Sequence, residues 1–198
     1  MIVIGIVGGI GTGKTEVLHL LQQHGARVVA ADELSREVLA PGQPALQQVR
    51  QAFGDDFFDA QGQLRRRELG ELIFRDEAAR RRLDDIVHPL MTAALLRRLE
   101  AWRAEGVEVA VVESAVLAEM GARPLVDRLV LVTAPEQAQL QRLRERDGLS
   151  EAEARRRVEA HQRLGLTACP ADAMIENDGS LEKLTRRVEQ IWNEVVLS

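Results

Sequence analysis

Residues 2–15 read IVIGIVGGIGTGKT, and the fold is read from them first. Ile2 to Val7 form a continuous apolar run rich in β-branched side chains, the pattern of a strand buried on both faces in a parallel sheet. Gly8 to Thr15 follow with the spacing G-x-x-x-x-G-K-T. Residues 14–24 then turn helical, with Val17, Leu18, Leu20 and Leu21 apolar and Gly25 as the stop. A strand, a glycine-rich turn and a helix start are what a phosphate loop requires. Its glycines let backbone N–H groups of Gly9, Ile10, Gly11, Thr12 and Gly13 converge on an anion, and the helix N-terminus adds its dipole. Lys14 then reaches the terminal phosphates, the Thr15 hydroxyl can ligate Mg²⁺, and Glu16 opens the helix beside them. The ligand implied is a nucleoside triphosphate.

Outward from this unit, Val28 to Ala31 is a second short strand, and Asp32 is placed to cap a helix carrying Leu34, Val38 and Leu39. From 43 to 105 the pattern is helical almost throughout, with helices expected at 43–53, 65–74, 76–87 and 90–105. Pro44, Gly54, Gly62 and Pro89 separate them, and a loop lies near Asp55–Gln63. Val107–Val112 and Leu129–Val132 are further strands, each followed by helix, at 116–122 and 135–146. Ser150 and Glu153 have capping-box spacing at the start of a helix over 150–163. Ala173–Ile175 is a last short strand, and a closing helix runs from Ser180 through Trp192. Five strands alternating with helices define an α/β protein with a five-stranded, mainly parallel sheet. The stretch 43–105 is too long for an ordinary crossover and reads as a helical lobe within a single domain over 1–198.

Composition bounds the function. With 45% hydrophobic and 29% charged residues, the chain can bury a full core, so global disorder is excluded. A formal charge of −5 argues against a nucleic-acid partner gripped through its phosphates. An aromatic content of 3% weakens a base-stacking single-strand binder. The lone Cys169 excludes an intramolecular disulfide and a multi-cysteine zinc site, and fits a reducing cytoplasm. No run reaches the ~20 apolar residues of a membrane span, and the apolar start lacks the basic flank of a signal peptide. Basic residues are almost all Arg, Lys14 and Lys183 being the exceptions. The Arg triplets at 65–67, 80–82 and 155–157 read as anion sites or as solvated helix faces.

A phosphate loop alone does not separate kinases from GTPases, motors or ATP sensors. The N-K-x-D base-recognition motif of GTPases is absent, and small size with a helical lobe suits a small-molecule kinase. Further segments, in order, resemble the dephospho-CoA kinase family. They are A-A-D-E-L-S-R at 30–36, P-G-Q-P-A-L at 41–46, Phe53-Gly54, D-A-Q-G-Q-L-R-R at 59–66 and Leu69. I-F-R-D at 73–76, Leu83 and His88-Pro89 follow. Glu119 falls where the family's P-L-L-x-E ends. Pro135, Gln139, Arg142 and Arg146-Asp147-Gly148 come next, then A-D-A-M-I-E-N-D-G at 171–179.

That resemblance implies a P-loop nucleoside-kinase-like fold with a substrate lobe and a short lid, about 146–168. The implied activity is ATP- and Mg²⁺-dependent phosphorylation of the ribose 3′-hydroxyl of dephospho-CoA. By position, Lys14 and Thr15 serve the ATP phosphates and Mg²⁺, and Arg142 and Arg146 lie near the lid and phosphates. Asn177 lies near the base. Asp32 and Arg36 face the acceptor, and His88 shapes the lobe. The sequence departs from the family at Ala30, which replaces the first acid of D-A-D, and at Ala115. It departs again at His161 with Gln162 beside it, and at Thr167 and Pro170 before Ala171. An acid for the acceptor can then come from Asp32, or from Glu113 at the end of the third strand. Plainer readings stand beside these: Asp32 as a helix cap, His88 as a packed histidine, Arg142 and Arg146 as solvated side chains. Two other functions stay open: a diverged ATP-binding relative with little or no transfer, and a kinase for another small nucleotide.

Overall fold

A computed structural model describes residues 1–114, 117, 122–162 and 170–196, with the side chain of His161 outside the description. Residues 116 and 118–121 of the expected helix at 116–122, which include Glu119, lie outside the described residues, as do Ala115, Thr167, Cys169 and the end of the expected lid.

The five strands are β1 (Ile2–Gly8), β2 (Arg27–Ala30), β3 (Val109–Glu113), β4 (Arg128–Thr133) and β5 (Ala173–Glu176). They form one sheet in the order β2-β3-β1-β4-β5, and every pairing is parallel. The phosphate-loop strand is thus central. Alternation along each strand divides its side chains between two layers. Val3, Val7, Val29, Ala110, Val112, Leu129 and Leu131 join one core. Ile4, Ile6, Val109, Val111, Val130, Val132 and Ile175 join the other.

The second core is closed by α1 (Lys14–Gln23) and α8 (Leu181–Val196), through Val17, Leu20, Leu21, Leu184, Val188 and Ile191. The first is closed by α2 (Ala31–Val38), α3 (Pro44–Phe53), α4 (Arg66–Arg75) and α5 (Glu77–Ala104). A third, smaller cluster joins α6 (Glu136–Asp147) to α7 (Glu151–Gln162), where Leu140, Leu143, Ala154 and Val158 meet Ile10 of the phosphate loop.

Two expectations need correction. Pro89 does not divide two helices; α5 runs through it for 28 residues. Proline removes the bond to the carbonyl four residues back and ordinarily breaks a helix. Here both halves carry buried residues, Ala79 and Val87 before it and Met91, Leu95 and Leu99 after it. Shared burial against one core holds the helix together. Asp32 is not a cap either. The helix starts at Ala31 with Ala30 as its extended N-cap and no side-chain cap bond. Directly after β2, the first turn begins two residues earlier than the spacing suggests, so Asp32 falls inside it.

The capping box forms as its spacing implies: Glu153 N–H donates to Ser150 Oγ at 3.3 Å, and Ser150 N–H donates to Glu153 Oε2 at 3.0 Å. The loop at 55–63 contains a 3₁₀ turn (Asp55–Phe57) and a bridge between Phe58 and Leu64. Among the described residues, no helix is long and apolar enough to cross a membrane.

Candidate active site

The loop after β1 is shaped by glycines that admit no side chain. Gly13 caps α1 at φ 90°, and a Cβ there would lie 2.1 Å from Asn177 Nδ2. Gly11 has φ 73°, and its Cβ would meet the Gln139 carbonyl oxygen at 2.9 Å. These close approaches come from α6 and from the end of β5, which fasten the loop from outside. Asn177, buried, donates from Nδ2 to the Thr12 carbonyl at 2.9 Å. Arg142 donates to the Gly11 carbonyl at 3.1 Å and to the Asn177 carbonyl at 3.3 Å. The buried Thr12 hydroxyl donates to the Gly9 carbonyl at 2.9 Å and closes the turn from within.

Lys14 donates from Nζ to the Gly8 and Gly9 carbonyls, each at 3.0 Å. Its ammonium lies 3.7 Å from Glu113 Oε1. Glu113 ends β3, level with Ile6 on β1 and Ala30 on β2. The carboxyl ends of parallel strands are where ligands bind in open α/β sheets. Burial pushes the Lys14 pKa down, against the attraction of Glu113, and the charge of Arg146 lowers it further. Burial pushes the Glu113 pKa up, against the attraction of Lys14, and the neighbouring charge of Asp32 adds to the rise.

These groups share one cleft of about 870 Å³, lined by Gly11, Gly13, Lys14, Thr15, Glu16 and Glu113, by Arg142, Leu143, Glu145 and Arg146 of α6, and by Asn177, Leu181 and Leu184. Three oxygen and nitrogen groups from distant parts of the chain, Glu113, Arg142 and Asn177, thus surround the helix N-terminus that carries Lys14 and Thr15. Arg146 is a fork onto Asp147, donating from Nε at 2.7 Å and Nη2 at 2.8 Å. That contact holds the Asp147 carboxyl below its ordinary pKa.

Asp32, Arg36 and His88 stand outside the lining of this cleft. Asp32 accepts from Arg36 Nη2 at 2.6 Å across one helical turn, with both side chains largely exposed. His88 lies within α5 with its Nε2 3.4 Å from Asp84 Oδ1. Ile10 turns away from the loop into the α6–α7 cluster. Leu181 and Leu184 are cleft residues that the sequence did not single out. The signal available was an apolar side chain at the start of α8, and Leu181 is 58% exposed there.

For a divalent metal, the Thr15 hydroxyl and the Glu113 carboxylate are hard oxygen donors of the kind Mg²⁺ prefers. Among the described residues, no group of three or more His, Cys, Asp or Glu could hold a metal by themselves. The residues therefore fit a metal that arrives with its phosphates.

A parallel sheet in this order, built around a glycine-rich loop with Lys14 at a helix N-terminus, defines a small-molecule kinase of the P-loop class. The dephospho-CoA kinase family model matches residues 2–183. A dephospho-CoA kinase of Geobacter sulfurreducens is 40% identical over 192 residues, covering 97% of this chain and 98% of the relative. One from Streptomyces avermitilis is 41% identical over 196 residues, with 99% and 95% covered. A crystal structure from Thermus thermophilus superposes with a TM-score of 0.79 at 30% identity, covering 98% of this chain and 97% of the other. The chain belongs to the dephospho-CoA kinase family.

Proposed function

We propose that this enzyme transfers the γ-phosphoryl group of ATP to the ribose 3′-hydroxyl of dephospho-CoA, releasing ADP and coenzyme A. The observation that carries this reading is the single cleft that gathers Lys14, Thr15, Glu113, Arg142, Arg146 and Asn177 at the N-terminus of α1. Phosphoryl transfer proceeds through a loose transition state, so catalysis is mostly positioning and neutralisation of charge on the transferred group.

Backbone N–H groups of the loop from Gly9 to Thr15 hold the phosphates, with Glu16 beside them. Lys14 leaves the Gly8 and Gly9 carbonyls for the terminal phosphates, and Arg142 and Arg146 supply positive charge from α6. Asn177, with Leu181 and Leu184 nearby, borders the end of the cleft suited to the nucleobase. Thr15 would hold Mg²⁺, which supplies charge neutralisation on the phosphate oxygens when bound.

The acceptor belongs to the side formed by α2 and the helical lobe over 43–105, where Asp32, Arg36, His88 and, outside the described residues, Glu119 serve it. The segment 146–168, which carries α7, acts as a lid that excludes water from the transferred group. Exclusion of nucleic acid and membrane as partners, and a cytoplasmic setting, complete the reading, on the acidic balance and the lone Cys169.

The test is ADP release measured with dephospho-CoA against nucleoside monophosphates. Turnover with dephospho-CoA alone is expected. Turnover with monophosphates would make this a kinase of another nucleotide, and ATP binding without turnover would make it a diverged binder. Lys14→Ala is expected to lower kcat by about 10²–10³-fold, the scale for losing one charge-stabilising donor, with the fold retained by circular dichroism. Undiminished turnover in that variant would overturn the assignment of the cleft.

A further inference from the structure

The phosphate loop has little side-chain substance of its own. Gly8, Gly9, Gly11 and Gly13 leave only Ile10 and Thr12 to carry side chains ahead of Lys14. Glycine loses more conformational freedom on ordering than any other residue. A loop so rich in it needs anchors that hold its N–H groups convergent before an anion arrives. Thr12 turns inward to the Gly9 carbonyl. Asn177 and Arg142 hold the Thr12 and Gly11 carbonyls from outside. Ile10 is the apolar anchor, and it packs into the cluster between α6 and α7.

That cluster is small, and two elements share it. Leu140 and Leu143 lie one turn apart on α6, and Ala154 and Val158 lie one turn apart on α7. All four are buried together, with Leu149 and Ile10 packed against them. Among the described residues, neither main core takes a side chain from α7. Its ion pairs to α6, Arg155 to Glu136 at 2.9 Å and Arg157 to Asp147 at 3.7 Å, involve partly exposed groups and contribute little. With so little else beneath it, α7 stands at the low-stability end of the fold, and Ile10 is part of its seat.

We propose that Ile10 is a positioning residue that couples the seat of α7 to the geometry of the phosphate loop. This coupling rests on the nucleotide binding put forward above and makes no use of the acceptor. When phosphates order the loop backbone, Ile10 is held in the cluster and α7 is held with it. When α7 is unseated, Ile10 loses the surface it packs on, and the N–H groups of Gly9 to Gly13 lose an anchor. The coupling free energy is the same in both directions. Seated α7 raises the affinity for ATP by the factor by which ATP favours seated α7.

ATP binding to the unaltered protein is measured first, by calorimetry; its absence would sink the nucleotide reading, and this coupling with it. Given binding, Ile10→Ala is expected to weaken ATP about tenfold, within the usual range of such couplings. Ile10→Val, which keeps a branched side chain, is expected to restore the affinity to within about threefold of the unaltered protein. The second readout is amide hydrogen exchange in α7, with saturating ATP and no acceptor. ATP is expected to slow that exchange about tenfold in the unaltered protein, and by less than about twofold in Ile10→Ala, although nucleotide still fills the site.

Val158→Ala opens the same cluster while leaving every residue of the loop intact. It is expected to weaken ATP about as much as Ile10→Ala does, and the double variant to fall no more than about threefold below the weaker single one. Where circular dichroism shows Ile10→Ala unfolded, Val158→Ala carries both measurements. Three results would overturn the proposal. One is ATP affinity within about twofold of the unaltered protein in Ile10→Ala. Another is protection of α7 by ATP that persists in that variant, which places the link elsewhere. The third is a pair of losses that multiply in the double variant, which makes the two effects independent.

Discussion

Gly13 joins three demands at one residue: it caps α1, adopts φ 90°, and faces the amide of Asn177 with no room for a Cβ. The left-handed backbone alone costs a non-glycine residue about 1–3 kcal/mol. The Asn177 amide cannot simply retreat, because it donates to the Thr12 carbonyl while its own backbone N–H extends the sheet to the Thr133 carbonyl at 2.7 Å. Gly13→Ala is therefore expected to lose at least about 2 kcal/mol of stability in urea unfolding. It is also expected to lose the rise in melting temperature that ATP produces in the unaltered protein. Retention of both would mean that the loop and the end of β5 move independently. The glycine spacing was legible in the sequence because it is local. The partner across 164 residues was not; only the resemblance named Asn177, and it supplied a neighbourhood without the bond.

At the scale of elements, the sheet is held in register at its entry edge by two aspartates. Asp127 accepts from the Val3 N–H at 2.7 Å and returns its own N–H to the Val3 carbonyl at 2.8 Å. Asp172 repeats the device on β4, accepting from Leu129 N–H at 2.6 Å and donating to the Leu129 carbonyl at 2.8 Å. Each gives a donor near the start of its strand a carboxylate acceptor. Asp172→Ala is expected to cost about 1–2 kcal/mol in denaturant unfolding, whereas Asp172→Asn, which keeps an acceptor oxygen, costs less than half of that. Equal losses would point to charge rather than to the bond, with Arg123 at 3.7 Å as the responsible partner. The strands, the phosphate loop, α1 and the Ser150–Glu153 box could all be read from local patterns, because apolar runs and cap spacings act within a few residues. Pro89 and Asp32 were misread for the same reason. Local propensity favours a break at Pro89, but burial of both halves of α5 overrides it. The cap spacing at Asp32 ignores that β2 feeds its helix without a connecting residue. Nor could any local pattern place Glu113 beside Lys14, since their meeting depends on β3 pairing with β1.

Across the whole molecule, an acidic chain must still present positive charge to two anionic substrates. Most arginines of the described residues are committed to neighbours: Arg98 to Glu33 and Glu37, Arg81 to Glu77, Arg155 to Glu136. Such exposed pairs contribute little stability, and they leave the cleft to Lys14, Arg142 and Arg146. There the protein keeps an ion pair at a cost. The raised pKa of Glu113 contributes stability that is complete below its unfolded value and is lost as pH rises through the folded one. The lowered pKa of Lys14 contributes stability above its unfolded value that is lost as pH falls through the folded one. Wherever both groups are ionised, the two charges are held against their desolvation. The double variant Lys14→Met, Glu113→Gln is therefore expected to be at least as stable as the unaltered protein in urea at pH 7, while its kcat falls by at least about 10²-fold. Lys14→Met alone leaves Glu113 buried without its partner, and it is expected to be less stable than the double variant at pH 7. That difference should shrink as pH is lowered and the carboxyl takes up its proton. A double variant well below the unaltered protein at pH 7 would show instead that the pair stabilises the fold, and that the cleft is kept for structure as much as for catalysis.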